Sequence, residues 1–167
     1  PFYWGLYEWN PGMPIWPEQM AAIEWCKANG IVTKGHPLIW VQNKPWVKNP
    51  KGWWPTWLDD LPLETTSHLF EARVINIVKG YAGKVDMWDA VNEPIHKMPW
   101  DKRYIHYTKV MDIPFDEIVS FVDESVRWAH IANPSADLII NEFDVISNVP
   151  IIDFKSGEPS RDRFLRL

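Results

Sequence analysis

Cysteine is almost missing from this chain: of 167 residues only Cys26 is one, so neither an internal disulfide nor a cysteine-based zinc site can be assembled from it. No apolar run approaches the ~18–20 residues that cross a bilayer. The opening residues, Pro1-Phe2-Tyr3-Trp4, carry no basic segment of the kind that begins a secretion signal. Basic charge is also scarce. Seventeen Lys and Arg against 22 Asp and Glu leave a net charge of −5, and a nucleic-acid backbone calls for clustered cations. Neither nucleic acid nor membrane is therefore expected as a partner. Other absences are chemical: there is no Gly-rich phosphate loop, no Gly-x-Ser-x-Gly elbow and no cysteine beside an activating base, which disfavours phosphoryl and acyl transfer. His68, His96, His106 and His130 stand at no metal-ligand spacing, so no metal and no other cofactor is expected.

Tryptophan, by contrast, is in excess. Twelve in 167 residues exceed what a core needs, and flat amphipathic indoles suit partners that are flat with polar rims. Sugars fit that description. The rest of the composition is ordinary for one domain or part of one, with 46% hydrophobic and 23% charged residues.

Three stretches have helical periodicity. The first covers 17–29, with Pro17 in the first turn and Gly30 just past the end. The second covers 66–81, with Phe70, Val74, Ile77, Val78 and Tyr81 on one face. The third covers 114–132, with Phe115, Ile118, Val119, Val122, Val126 and Ala129 on a stripe that ends at Asn133-Pro134. Between them lie near-continuous apolar runs of strand length at 2–7, 31–40, 85–91 and 138–146, the pattern of strands covered on both faces. Strands alternating with helices predict an α/β fold with a parallel sheet. The segment after Pro159-Ser160 reads as the opening turn of one more helix. The longest connection, 41–62, holds Trp46, Trp53, Trp54 and Trp57, and loops at the carboxyl ends of parallel strands are where such folds build their sites.

Polar residues close three of these strands: His36 after Gly35, Asn92-Glu93-Pro94 after Val91, and Asn141-Glu142-Phe143-Asp144 within the fourth. Glu93, at the end of an apolar strand, is placed where desolvation raises a carboxyl pKa toward that of a general acid. Asn92 offers an amide to a substrate hydroxyl, and His36 a donor or acceptor on the neighbouring strand. Taken singly, Glu93 is as well explained as a solvated loop residue, His36 as a packing histidine, and Glu142 and Asp144 as capping or salt-bridging carboxylates. Together they describe an acid flanked by hydrogen-bonding groups.

Three runs, Gly35-His36-Pro37-Leu38-Ile39-Trp40, Gly80-Tyr81-Ala82-Gly83-Lys84-Val85-Asp86-Met87-Trp88-Asp89-Ala90-Val91-Asn92-Glu93 and Ala132-Asn133-Pro134-Ser135-Ala136-Asp137-Leu138-Ile139-Ile140-Asn141-Glu142-Phe143, resemble glycoside hydrolase family 10, the endo-xylanase family, in order and interval. The resemblance implies a (β/α)8 TIM barrel. Of that barrel residues 1–167 would supply roughly strands 2 to 5, as a partial catalytic domain truncated at both ends. It implies Glu93 as the acid/base, with Asn92, His36 and Trp40 lining the sugar subsite. It also implies cleavage of β-1,4-linked xylan or a related β-glycan polysaccharide with retention. The second carboxylate that retention needs is then expected beyond Leu167, so these residues alone should hydrolyse poorly.

Glu142, in Asn141-Glu142-Phe143-Asp144, superficially resembles the family's nucleophile strand, but its interval from Glu93 suits an earlier strand. It stands, with Asn141, as a substrate-lining or network residue. Pro55-Thr56-Trp57-Leu58 resembles the family's Pro-x-Trp-Leu, which makes Trp57 a substrate-binding candidate, and 44–54 reads as a Trp-rich insertion before it. The family's glycone-contacting lysine falls at Tyr3. Two rival readings are a non-catalytic carbohydrate-binding protein on a barrel scaffold and another barrel glycosidase of the mannanase or cellulase type. A polymer substrate leads us to expect secretion or a cell-surface location.

Overall fold

A computed structural model of the chain describes residues 2–8, 12, 17–40, 55–58, 61–95, 114–143, 145–146 and 159–167. Helix α1 is Trp4–Tyr7, α2 Pro17–Ala28, α3 Leu63–Gly80, α4 Phe115–Ala132 and α5 Ser160–Leu165. Strand β1 is Lys34–Gly35, β2 Met87–Asn92 and β3 Asp137–Asn141, and a short 3-10 helix spans Thr56–Leu58. The three strands form one sheet in the order β1-β2-β3, with both pairs parallel. α3 and α4 are the crossovers. They pack against each other, and α4 also lies on β2 and β3.

The helix faces follow the sequence periodicity. Phe70, Val74, Ile77 and Val78 of α3, with Tyr81 just past its end, are buried in the same cluster as Ile118, Phe121, Val122 and Ala129 of α4. Each large apolar side chain buried this way contributes about 1.5–3 kcal/mol. On α4 the stripe is centred slightly differently from the sequence expectation: Phe121 and Ser125 are fully buried, whereas Phe115 and Val119 are only half so. Ser125 is accommodated by donating its hydroxyl to the Phe121 carbonyl at 2.7 Å, the usual way a helical serine satisfies itself.

Three expected strands are corrected. Residues 2–7 are not a strand: after Phe2, whose N–H donates to the His36 carbonyl at 2.7 Å, the chain turns into α1. The helical turn brings Trp4 and Tyr7, three residues apart, into the core together. Glu8 closes it, its N–H donating to the Trp4 carbonyl and its carboxylate accepting from Trp4 Nε1 at 3.0 Å. The run 31–40 yields a ladder only at Lys34–Gly35 and a further bridge at Ile39 to Val91, because Pro37 has no N–H to give. The run 138–146 pairs only as far as Asn141. Ile146 is 95% exposed.

Two charged groups bind elements together. Asp86, just before β2, accepts from Lys27 Nζ of α2 at 2.6 Å and from the Thr33 N–H at 2.8 Å. The lysine, then the threonine, lowers its pKa to about 2. Arg73 of α3 is buried. Its guanidinium donates to the carbonyls of Phe2 and, at 3.3 Å, Leu38, and lies 4.9 Å above the Trp4 ring. Burial pulls its pKa down to about 9 against the pull of Glu8, leaving it a cation at neutral pH. It ties the segment before α1 to the loop that follows β1.

Candidate active site

The parallel register brings together the polar residues at the strand ends. Lys34 pairs with Met87 and Gly35 with Trp88, which puts His36 next in line across from Asp89. His36 Nδ1 lies 2.5 Å from Asp89 Oδ2, and Lys34 Nζ lies 2.9 Å from Asp89 Oδ1. Asp89 is completely buried. A buried carboxylate needs this company, and in return it fixes the His36 ring through Nδ1.

Glu93 follows β2 directly and is half-buried. Its carboxylate accepts the Trp40 indole N–H at 3.1 Å. Its backbone has φ +56°, and among the described residues it is the one non-glycine with positive φ. Such a conformation costs an L-residue about 1–2 kcal/mol and clusters at functional sites. The Glu93 N–H donates to the Asn141 carbonyl at 2.7 Å. The Asn141 side-chain amide donates to Asn92 Oδ1 at 2.5 Å. β2 and β3 are in register there, Asn92 beside Asn141, after an irregularity between Asp89 and Val91. Glu142 accepts the Ile95 N–H on Oε2 and the Phe143 N–H on Oε1, each at 3.0 Å.

His36, Trp40, Asn92, Glu93, Asn141 and Glu142 therefore gather at the carboxyl ends of three adjacent strands. Trp57 is placed differently. It packs against the core, edge-on to Trp4 at 6.2 Å, and partly exposed. The Trp-rich run 44–54 and Asp144 lie outside the described residues.

Two further residues join the group. Tyr3 stands edge-on to His36 at 5.7 Å and tilted against Trp40 at 5.3 Å, forming an aromatic wall beside Glu93. Asp89 is the other. Its signal was in the sequence, since a carboxylate inside Trp88-Asp89-Ala90-Val91 must be paired once that strand is buried. Among the described residues no cluster of three or more His, Cys, Asp or Glu could hold a metal ion, and no helix is long and apolar enough to cross a membrane.

The chemistry this arrangement offers is a carboxyl group held by an indole donor, beside an imidazole fixed by a buried carboxylate and an amide pair. Known proteins are similar to the chain in sequence and in fold. Endo-1,4-beta-xylanase 3 of Hypocrea jecorina is 28% identical over 143 residues, which are 85% of this chain and 36% of that protein. The beta-1,4-xylanase of Dictyoglomus thermophilum is 27% identical over 141 residues, 84% of this chain and 34% of that protein. The chain thus spans about a third of the length of these relatives. The crystal structure of xylanase 10B from Thermotoga petrophila, solved with xylobiose, superposes with a TM-score of 0.62 at 19% identity, over 85% of this chain and 39% of that one. That likeness identifies the three-stranded parallel sheet as part of a (β/α)8 barrel. The sequence profile of Glycosyl hydrolase family 10 matches residues 4–152, and the chain belongs to that family.

Proposed function

We propose that these residues are the acid/base half of a retaining glycoside hydrolase acting on β-1,4-linked xylan or a related β-glycan. Glu93 is the proton donor. The observation that carries the reading is its carboxylate, presented at the strand ends in a left-handed backbone conformation and held 3.1 Å from the Trp40 indole nitrogen. Glu93 delivers a proton to the glycosidic oxygen as the bond to the leaving sugar breaks, and in the second half-reaction takes one from water. His36, fixed by Asp89, and Asn92, paired to Asn141, offer hydrogen bonds to the hydroxyls of the sugar, and Tyr3 and Trp40 offer ring surface to its face.

Retention needs a nucleophile ~5–5.5 Å from the acid. Glu142 is poorly suited to that role, since both its oxygens accept backbone N–H groups. The nucleophile is assigned to another part of the barrel. The named xylan-active relatives support the substrate class. A polymer of that size is met outside the cell, so we place the activity there.

Replacing Glu93 by Gln, in a polypeptide that contains these residues and hydrolyses xylan, tests the reading. The amide keeps the shape but carries no transferable proton. Release of reducing ends from β-1,4-xylan should fall by about 10²–10⁴ while xylan retention in affinity electrophoresis persists. Unaltered turnover would overturn the assignment.

A further inference from the structure

Glu93 departs from ordinary backbone geometry just before a proline. A residue in that place is normally driven to extended conformations, yet here φ is +56°, and such geometry persists only where the surroundings over-determine it. Two of the constraints come from main chain or from the asparagine pair: the Glu93 N–H donates to the Asn141 carbonyl at 2.7 Å, and Asn141 Nδ2 to Asn92 Oδ1 at 2.5 Å. The third acts on the far side of the proline. Glu142 Oε2 accepts the Ile95 N–H at 3.0 Å, while Oε1 accepts the Phe143 N–H at 3.0 Å and so sets the direction in which the carboxylate points. Pro94 between them has no N–H, so the N–H groups of Glu93 and Ile95 are the handles by which β3 can grip the turn. Ile95 is itself fully buried.

We propose that Glu142 is a positioning residue for Glu93: by holding the Ile95 N–H it pins the turn beyond Pro94 and keeps the Glu93 carboxylate on the Trp40 indole N–H. This rests on the reading of Glu93 as the proton donor. Without the pin the residue 93–95 segment relaxes toward negative φ at Glu93, which swings its Cβ and carboxylate away from Trp40. An acid/base group must be held within ~0.5 Å of its productive place, and Glu142 supplies part of that precision without touching substrate.

The 167-residue chain, ¹⁵N-labelled, gives a readout that needs no turnover. Trp40 Nε1–H donates to Glu93, so its indole resonance should shift when Glu93→Gln replaces the carboxylate acceptor. In Glu142→Ala the exchange of the Ile95 amide with solvent should rise about ten- to a hundredfold, the range for losing a hydrogen bond to a charged group. The Trp40 indole resonance should then leave its place as that hydrogen bond is lost, while that of buried Trp88 stays. Glu142→Gln, which keeps one oxygen for Ile95, should restore most of both signals. If Glu142→Ala does not fold, Glu142→Asp, one methylene too short to reach Ile95, should show the same losses. An unchanged Ile95 exchange rate, or a Trp40 indole resonance that keeps its place on the loss of Glu142, would overturn the proposal. The reading of Glu93 fails by a different result, unaltered xylan turnover in Glu93→Gln, so the two failures are distinguishable.

Discussion

Gly35 of β1 lies against the indole of Trp88 on β2, and the strand pairing places the two directly beside each other. A Cβ added at Gly35 would fall 2.1 Å from Trp88 Cε3 and 2.2 Å from Cζ3, whereas carbon atoms are comfortable at ~3.5–4.0 Å. About 1.5 Å of movement is therefore required, and neither side can supply it readily. Trp88 is fully buried, with the Phe2 ring 4.9 Å and the Tyr81 ring 6.1 Å away. Overpacking a core costs about 1–3 kcal/mol where neighbours can shift, so with both walls held Gly35→Ala should cost about 3 kcal/mol or more. Equilibrium urea unfolding measures it as a fall in midpoint at unchanged slope. Gly83→Ala is the control: that site has open space but φ +73°, so only the backbone term of about 1–2 kcal/mol applies. Trp88→Phe removes part of the clashing indole, and the double variant Gly35→Ala/Trp88→Phe should be more stable than the summed single effects by at least about 1 kcal/mol. A Gly35→Ala cost no greater than that of Gly83→Ala, or a strictly additive cycle, would refute the packing argument.

Asp86 has a folded-state pKa of about 2 against an ordinary 3.8, so the stability it confers is complete above about pH 4 and disappears as the pH falls toward 2. Asp86→Asn should flatten that acid stretch of the stability curve measured by thermal unfolding, and a curve that keeps its acid slope would contradict the assigned Lys27 and Thr33 contacts. Asp89→Asn, which replaces the buried partner of His36 and Lys34 by a neutral amide, should lower urea-measured stability by about 1.5–3 kcal/mol, the range for hydrogen bonds to charged groups; an unchanged unfolding midpoint would show that the pairing is idle.

The helices were legible because their signals are local and redundant. Residues 17–29 were expected and Pro17–Ala28 is helical, with Gly30 at φ +68°. For α3 the start came out a few residues later than it is, Thr66 instead of Leu63, because the first turn lies before the apolar stripe begins. Strands were read less well. An apolar run such as Phe2 to Tyr7 does not distinguish a strand from a helical turn by composition alone, and only the closing hydrogen bonds of Glu8 to Trp4 decide it. Pro37 was visible in the run 31–40, but its effect on the ladder depends on which neighbour that N–H would have faced.

At the site, residue types were legible and their coupling was not. Asn92, Glu93 and His36 could be picked out as polar residues at strand ends, and the register then carries His36 to Asp89 across the sheet, a pairing that depends on β1 and β2 lying in parallel with Gly35 beside Trp88. The same dependence explains Gly35 itself. A side chain there would press on Trp88, so the residue that keeps the strands close is adjacent to the one the site uses, and displacing β1 to relieve the clash would pull His36 off Asp89. Glu93 shows the opposite relation between local and tertiary forces. Sequence before a proline steers the backbone toward extended values, and the left-handed φ appears only because β3 arrives alongside to accept its N–H at Asn141 and to hold Ile95 through Glu142. The backbone geometry of Glu93 is thus written about fifty residues away from it in sequence, and it exists only once the β2 and β3 ends have paired.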